Sequence, residues 1–163
     1  MKRKNIHSKP ADMSPMDAAL AYLTARMRTV REVEEKLDDL QYGEGDVLAT
    51  VERLKELGLL DDEGYAREFV RSRLATKPVS RQKLYLDLKS HKVQEELIDT
   101  VLNELPRETE GDNARAVAAK FWRQMSALEE PVRRERVLRR LMSRGFSTEA
   151  SLAAIRQAAE EEA

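Results

Sequence analysis

Leu60-Asp61-Asp62-Glu63-Gly64-Tyr65-Ala66-Arg67-Glu68-Phe69-Val70 is the stretch on which the reading of this chain turns. The Asp61/Asp62 pair reads as a solvated helix start, because acids favour the positive end of a helix. Ala66, Phe69 and Val70 then form an Ala-x-x-aromatic-apolar pattern that recurs on both sides, at Ala19, Tyr22 and Leu23 and at Ala118, Phe121 and Trp122. After each aromatic comes a leucine, and five residues later a bulky apolar residue: Leu37 and Tyr42, Leu88 and Val93, Leu141 and Phe146. A third amphipathic run closes each set, with Val47, Leu48, Val51 and Leu54, then Leu97, Ile98, Val101 and Leu102, then Ala150, Ala154 and Ile155 at the spacing of a buried helix face.

The period is therefore one unit of about fifty residues, and such periods mark tandem arrays. Helix-start signals agree with it. Ser14-Pro15-Met16-Asp17 reads as an N-cap, a first-turn proline and an acid, and Thr29 with Glu32 as a capping box. Ser80 is the counterpart of Thr29, whereas the third unit has Arg133 there with Pro131 nearby. The expected fold is all-α, an elongated, curved array of three tandem three-helix repeats: a basic, disordered tail over 1–13, then repeats over 14–58, 59–106 and 107–163. A unit this small buries only about 60% of its unfolded surface, so neighbours are expected to lean on one another.

Charged residues make up 36% of the 163-residue chain and aromatics 5%, and there is no cysteine. Disulfides and thiolate metal sites are excluded, and a cytoplasmic location fits best. Met1 to His7 is basic but no apolar run follows, and no stretch is long and apolar enough for a membrane span, so neither export nor membrane insertion is expected. His7 and His91 have no companion nucleophile or metal ligand in the sequence, Asp38/Asp39 and Asp61/Asp62 read as helix-start acids, and no glycine-rich phosphate loop occurs. No catalytic residue, metal or cofactor is expected. Trp122 fills the slot of Leu23 and Val70, which makes it core and not a base-stacking platform.

The basic residues are the better functional candidates. Residues 67–92 hold eight Lys/Arg against two Asp/Glu, and residues 113–145 nine against three, while the segments between are acidic. The candidates for binding a polyanion are Arg71, Arg73, Lys77, Arg81, Lys83 and Lys89 in the second repeat and Arg133, Arg134, Arg136, Arg139, Arg140 and Arg144 in the third. Arg133, Arg136 and Arg140 are spaced to share one helix face, with Val137, Leu138 and Leu141 as the buried stripe.

At Gly58-Leu59-Leu60-Asp61-Asp62-Glu63-Gly64-Tyr65-Ala66-Arg67-Glu68-Phe69-Val70-Arg71-Ser72-Arg73 the chain resembles the RecX family of bacterial regulatory proteins, and the likeness runs from about Asp17 to about Ala158. Leu60, Asp61, Asp62, Tyr65, Ala66, Phe69, Val70 and Arg73 carry the signature, mainly as structural residues. The resemblance implies an all-helical modulator that lies in the groove of the RecA filament on single-stranded DNA and restrains its ATPase, strand exchange and co-protease activity in DNA repair and the SOS response; a monomer is expected, since no coiled-coil heptad demands a dimer. Two departures concern loops. Pro78 replaces a glycine frequent in the family, and Lys92-Val93 lacks the glycine kept at Arg144-Gly145-Phe146. A helical-repeat protein acting on nucleic acid directly, and a scaffold for an unrelated partner, are the alternatives.

Overall fold

The structure, a computed structural model, describes residues 12–162, and among these every regular element is an α-helix. Helices α1 (Pro15–Ala25), α2 (Val30–Asp39) and α3 (Glu44–Glu56) form the first unit, α4 (Asp62–Thr76), α5 (Arg81–Ser90) and α6 (Glu95–Asn103) the second, and α7 (Thr109–Gln124), α8 (Glu130–Met142) and α9 (Thr148–Glu160) the third. Apart from Asp12 and Met13, the expected basic tail lies outside the described residues, His7 included.

Local chemistry sets these boundaries. Ser14 caps α1 by accepting from the Asp17 N–H, Thr29 and Glu32 form the reciprocal capping box of α2, and Ser80 accepts from the Lys83 N–H at 3.1 Å. The leucine and the bulky residue five positions on prove to be a helix-ending motif. The N–H groups of Tyr42, Val93 and Phe146 donate to the carbonyls of Leu37, Leu88 and Leu141 at 3.2, 3.3 and 3.3 Å, closing α2, α5 and α8 alike. Gln41, Lys92 and Gly145 take the left-handed conformation this reversal needs, at φ 65, 65 and 86°.

Each unit closes on a core of its own, from which Leu48, expected on the buried face of α3, is left out at 61% exposed. Val33, Leu37, Val51 and Leu54 centre the first, Leu84, Leu88 and Ile98 the second, and Val137, Leu141 and Ile155 the third, all of them 1% exposed or less. Burial of each such side chain stabilises its unit by about 2–3 kcal/mol. The units do lean on one another, but through narrow polar joints and not through shared core. At the first joint the Thr29 hydroxyl donates to the His91 carbonyl at 2.7 Å, His91 Nδ1 lies 3.0 Å from Glu32 Oε1, and Asp62 Oδ1 accepts the Val30 N–H at 2.8 Å. At the second, the Ser80 N–H donates to the Arg144 carbonyl at 3.0 Å and Arg144 Nη1 to the Pro78 carbonyl at 3.2 Å. In both, the start of a middle helix sits on the loop after the next unit's middle helix. Thr29 and Ser80 are fully buried there.

The acidic signature follows from this plan. Leu60 completes the core of the first unit, Asp61 caps α4 by accepting from the Gly64 N–H at 3.0 Å, and Asp62 reaches back to the first unit. Gly64 leaves room for that cap, since a Cβ there would lie 2.6 Å from Asp61 Oδ2. Burial pushes the Asp62 carboxyl above its usual range.

Candidate functional site

The structure redistributes the basic residues of the second unit. Arg81 is a structural group: its guanidinium donates to the carbonyls of Leu102, Leu105 and Pro106, satisfying the open end of α6. That use withdraws it from the candidate binding set. Arg73 is half-buried, 3.4 Å from Asp87, with its guanidinium over the Phe69 ring at 5.2 Å. Lys83 also reaches Asp87, at 2.7 Å, Lys89 pairs with Glu95 and Arg71 with Glu68. Lys77 caps the C-terminal end of α4, exposed and without a carboxylate partner among the described residues.

In the third unit the main correction is Arg133. Its side chain is 9% exposed, not part of an outer arginine face. Nε donates to the Trp122 carbonyl at 2.8 Å, Nη1 and Nη2 meet the two Glu162 carboxylate oxygens at 2.6 and 2.8 Å, and the guanidinium stacks over the indole at 4.0 Å. The cause is the earlier start of α8, which places the slot of Thr29 and Ser80 inside a helix, where a long side chain reaches the Trp122 carbonyl in the last turn of α7. Arg144 likewise serves the second joint, and burial pulls its guanidinium below the usual range, with the like charge of Arg140 adding to the effect.

Arg136, Arg139 and Arg140 remain outward. With Met125 and Ser143 they line an open concavity of about 600 Å³ on the outer side of α7 and α8. Arg139 carries only an exposed pair with Glu135, Arg140 lies over the Phe121 ring at 5.5 Å, and Arg136 has no carboxylate partner among the described residues. Exposed i,i+4 pairs are worth about 0.3–0.5 kcal/mol, so Glu135 holds Arg139 only weakly. Arg134, paired with Glu130 at 2.7 Å, points to a separate hollow beside Trp122. The twelve basic candidates thus do not form one face.

Residues 61–102 match the second three-helix domain of RecX, residues 16–54 the first and residues 108–155 the third. This chain belongs to the RecX family. It is similar to the protein named Regulatory protein RecX in Streptomyces coelicolor, with 32% identity over 88% of this chain and 76% of the relative, and to that of Levilactobacillus brevis, with 31% over 80% and 49%. The RecX crystal structure from Lactobacillus salivarius superposes with a TM-score of 0.73 at 24% identity, over 88% of this chain and 94% of that one. A second crystal structure, of regulatory protein RecX, gives a TM-score of 0.71 at 26% identity, over 86% and 70%.

The RecX signature also has a surface aspect that sequence reasoning missed. Tyr65, Phe69 and Arg73 recur every four residues along α4 and, with Arg26, Met27 and His91, line a groove of about 370 Å³ where the first and second units meet. Phe69 is half-buried and Met27 53% exposed, so this is an accessible apolar floor, with Arg26, Arg73 and Glu68 at its sides. Arg26 and Met27 lie in the α1–α2 linker of a segment whose charge nearly cancels; the basic spacing Arg26-x-Arg28 was the one available signal. No helix among the described residues is long and apolar enough to cross a membrane, and no cluster of His, Asp and Glu there could hold a metal ion.

Proposed function

We propose that this RecX-family chain regulates RecA by binding the filament that RecA forms on single-stranded DNA, lying along its groove and mostly inhibiting ATPase, strand exchange and co-protease activity. The observation that carries this reading is the outward row Arg136, Arg139 and Arg140 on a helix whose opposite side is fully packed. Arg136 and Arg139 make no contact with the core and Arg140 only covers the Phe121 ring, and the mutual repulsion of the three is relieved when an anion meets them. Three separately closed units on polar joints also suit a body that follows a long, curved surface. The chain acts as a cytoplasmic monomer without cofactor, metal or catalytic step.

Measuring RecA's DNA-dependent ATPase and strand exchange against added protein tests the proposal. Sub-stoichiometric inhibition is expected, and no effect at several-fold excess refutes it. Replacing Arg136, Arg139 and Arg140 by Glu should abolish co-sedimentation with RecA on single-stranded DNA.

The same arginine concavity supports a second reading, direct binding of nucleic acid. Three open arginines predict a loss of roughly 20- to 40-fold in affinity for bare DNA between 50 and 200 mM salt, far less than six phosphate contacts would give. Bare DNA bound as tightly as the filament favours this alternative.

A further inference from the structure

Arg133 stands eight residues before Leu141, as Thr29 stands before Leu37 and Ser80 before Leu88. In the first two units that slot docks on the loop of the next unit; in the third it faces Glu162. We propose that this face of the third unit is an anion socket for a backbone phosphate of single-stranded nucleic acid, closed in cis by the Glu162 carboxylate.

Three donors converge on that carboxylate. Arg133 Nη1 and Trp122 Nε1 reach Oε2 at 2.6 and 2.8 Å, and Arg133 Nη2 reaches Oε1 at 2.8 Å. The receptor is built into the fold: Trp122 is 3% exposed, and Arg133 is bonded to the Trp122 carbonyl as well as to Glu162. The occupant is not. The Glu162 side chain is 43% exposed, lies beyond the end of α9 and contributes nothing to the apolar core. A planar guanidinium fork with an indole N–H receives phosphate oxygens by the same geometry as a carboxylate.

The surroundings fit a larger anion. A hollow of about 480 Å³ adjoins the socket, with Arg134 and Arg156 on its rim beside Glu130 and Glu160. Glu130 is taken by Arg134, and Arg156 has no carboxylate partner among the described residues. A slim phosphodiester meets less repulsion from Glu160 than a carboxylate-rich peptide does. The inference deepens the reading that the third unit meets DNA in the filament, and rests on it.

Trp122 is the one tryptophan of the chain, so its emission reports the socket directly. The full chain and its Glu162→Gln variant are titrated, without RecA, with inorganic phosphate, a short single-stranded oligonucleotide and a glutamate-rich peptide. A tethered carboxylate at an effective concentration of roughly millimolar, held with a dissociation constant of about a millimolar or less, competes so that the variant should bind the oligonucleotide about twofold more tightly or better. Arg156→Glu, a rim change that leaves the core intact, should weaken that binding in the intact chain and in the variant alike. Equal affinities with and without Glu162, an unmoved Arg156→Glu response, preference for the peptide, or no saturable change in Trp122 emission overturns the proposal. Failure of the unaltered chain to sediment with the RecA filament instead removes the regulatory reading, and leaves the Trp122 measurement standing.

Discussion

Gly145→Ala strikes the second joint at its tightest point. The φ of 86° is left-handed, a conformation that costs an L-residue about 1–2 kcal/mol, of which the stiffer unfolded chain returns about 0.4–1. Space is the larger difficulty. The new Cβ would lie 2.4 Å from Ser80 Oγ and 2.9 Å from Lys83 Cβ. Ser80 Oγ cannot rotate away without uncapping α5, worth about 1 kcal/mol, and Lys83 Cβ is fixed to the helix. The joint must open, losing the Ser80 N–H bond to Arg144 and the Arg144 bond to Pro78 at about 1 kcal/mol each. The total is about 3 kcal/mol, which should appear as uncoupling of the second and third units, since each keeps its own core. Hydrogen exchange at the Ser80 amide is the direct assay, with a loss of protection of about a hundredfold expected. Lys92→Gly at the matching position of the first joint, where a lysine holds φ 65°, should instead be neutral or mildly stabilising. A Ser80 amide as protected in Gly145→Ala as in the parent would refute the account of the joints.

Asp62→Ala should destabilise the first joint by about 1–2 kcal/mol in chemical denaturation, because the Val30 N–H loses its acceptor, whereas Asp62→Asn keeps an acceptor and should be nearly neutral at pH 7. Burial raises the Asp62 carboxyl, so the charged form is the disfavoured one in the fold, and the cost of burying it is relieved as pH falls through the raised value; Asp62→Asn should remove that part of the pH dependence. The Arg133 guanidinium, followed by the Trp122 N–H, holds the Glu162 carboxyl below its usual range. Its contact is therefore complete above the ordinary carboxylate value near 4.3 and lost as pH falls through the lowered one, and Trp122 emission should shift only in that acid window. Phe146→Ala should cost the third unit about 3–5 kcal/mol and leave exchange in the first unit unchanged, which a shared core would not allow.

The helices, their grouping in threes and the starts of α1, α2 and α5 were legible in the sequence, whereas Asp38 and Asp39, read there as helix-start acids, close α2. Patterns such as Ala66, Phe69 and Val70, caps such as Ser14, Thr29 and Ser80, and the pairing of Leu37 with Tyr42 are local, because a helix face and a helix end are settled within a few residues. The fate of the charges was not local. Arg81, Arg133 and Arg136 look alike in one dimension, yet the first ends α6, the second is buried against Trp122 and Glu162, and only the third faces outward. Long side chains choose between water and whatever bare carbonyl or carboxylate the tertiary arrangement brings within reach, and that arrangement joins Thr29 to His91, Ser80 to Arg144 and Arg133 to Glu162 across 62, 64 and 29 residues. Packing across those separations, and no property of the arginines themselves, decided which of them are left to meet a partner.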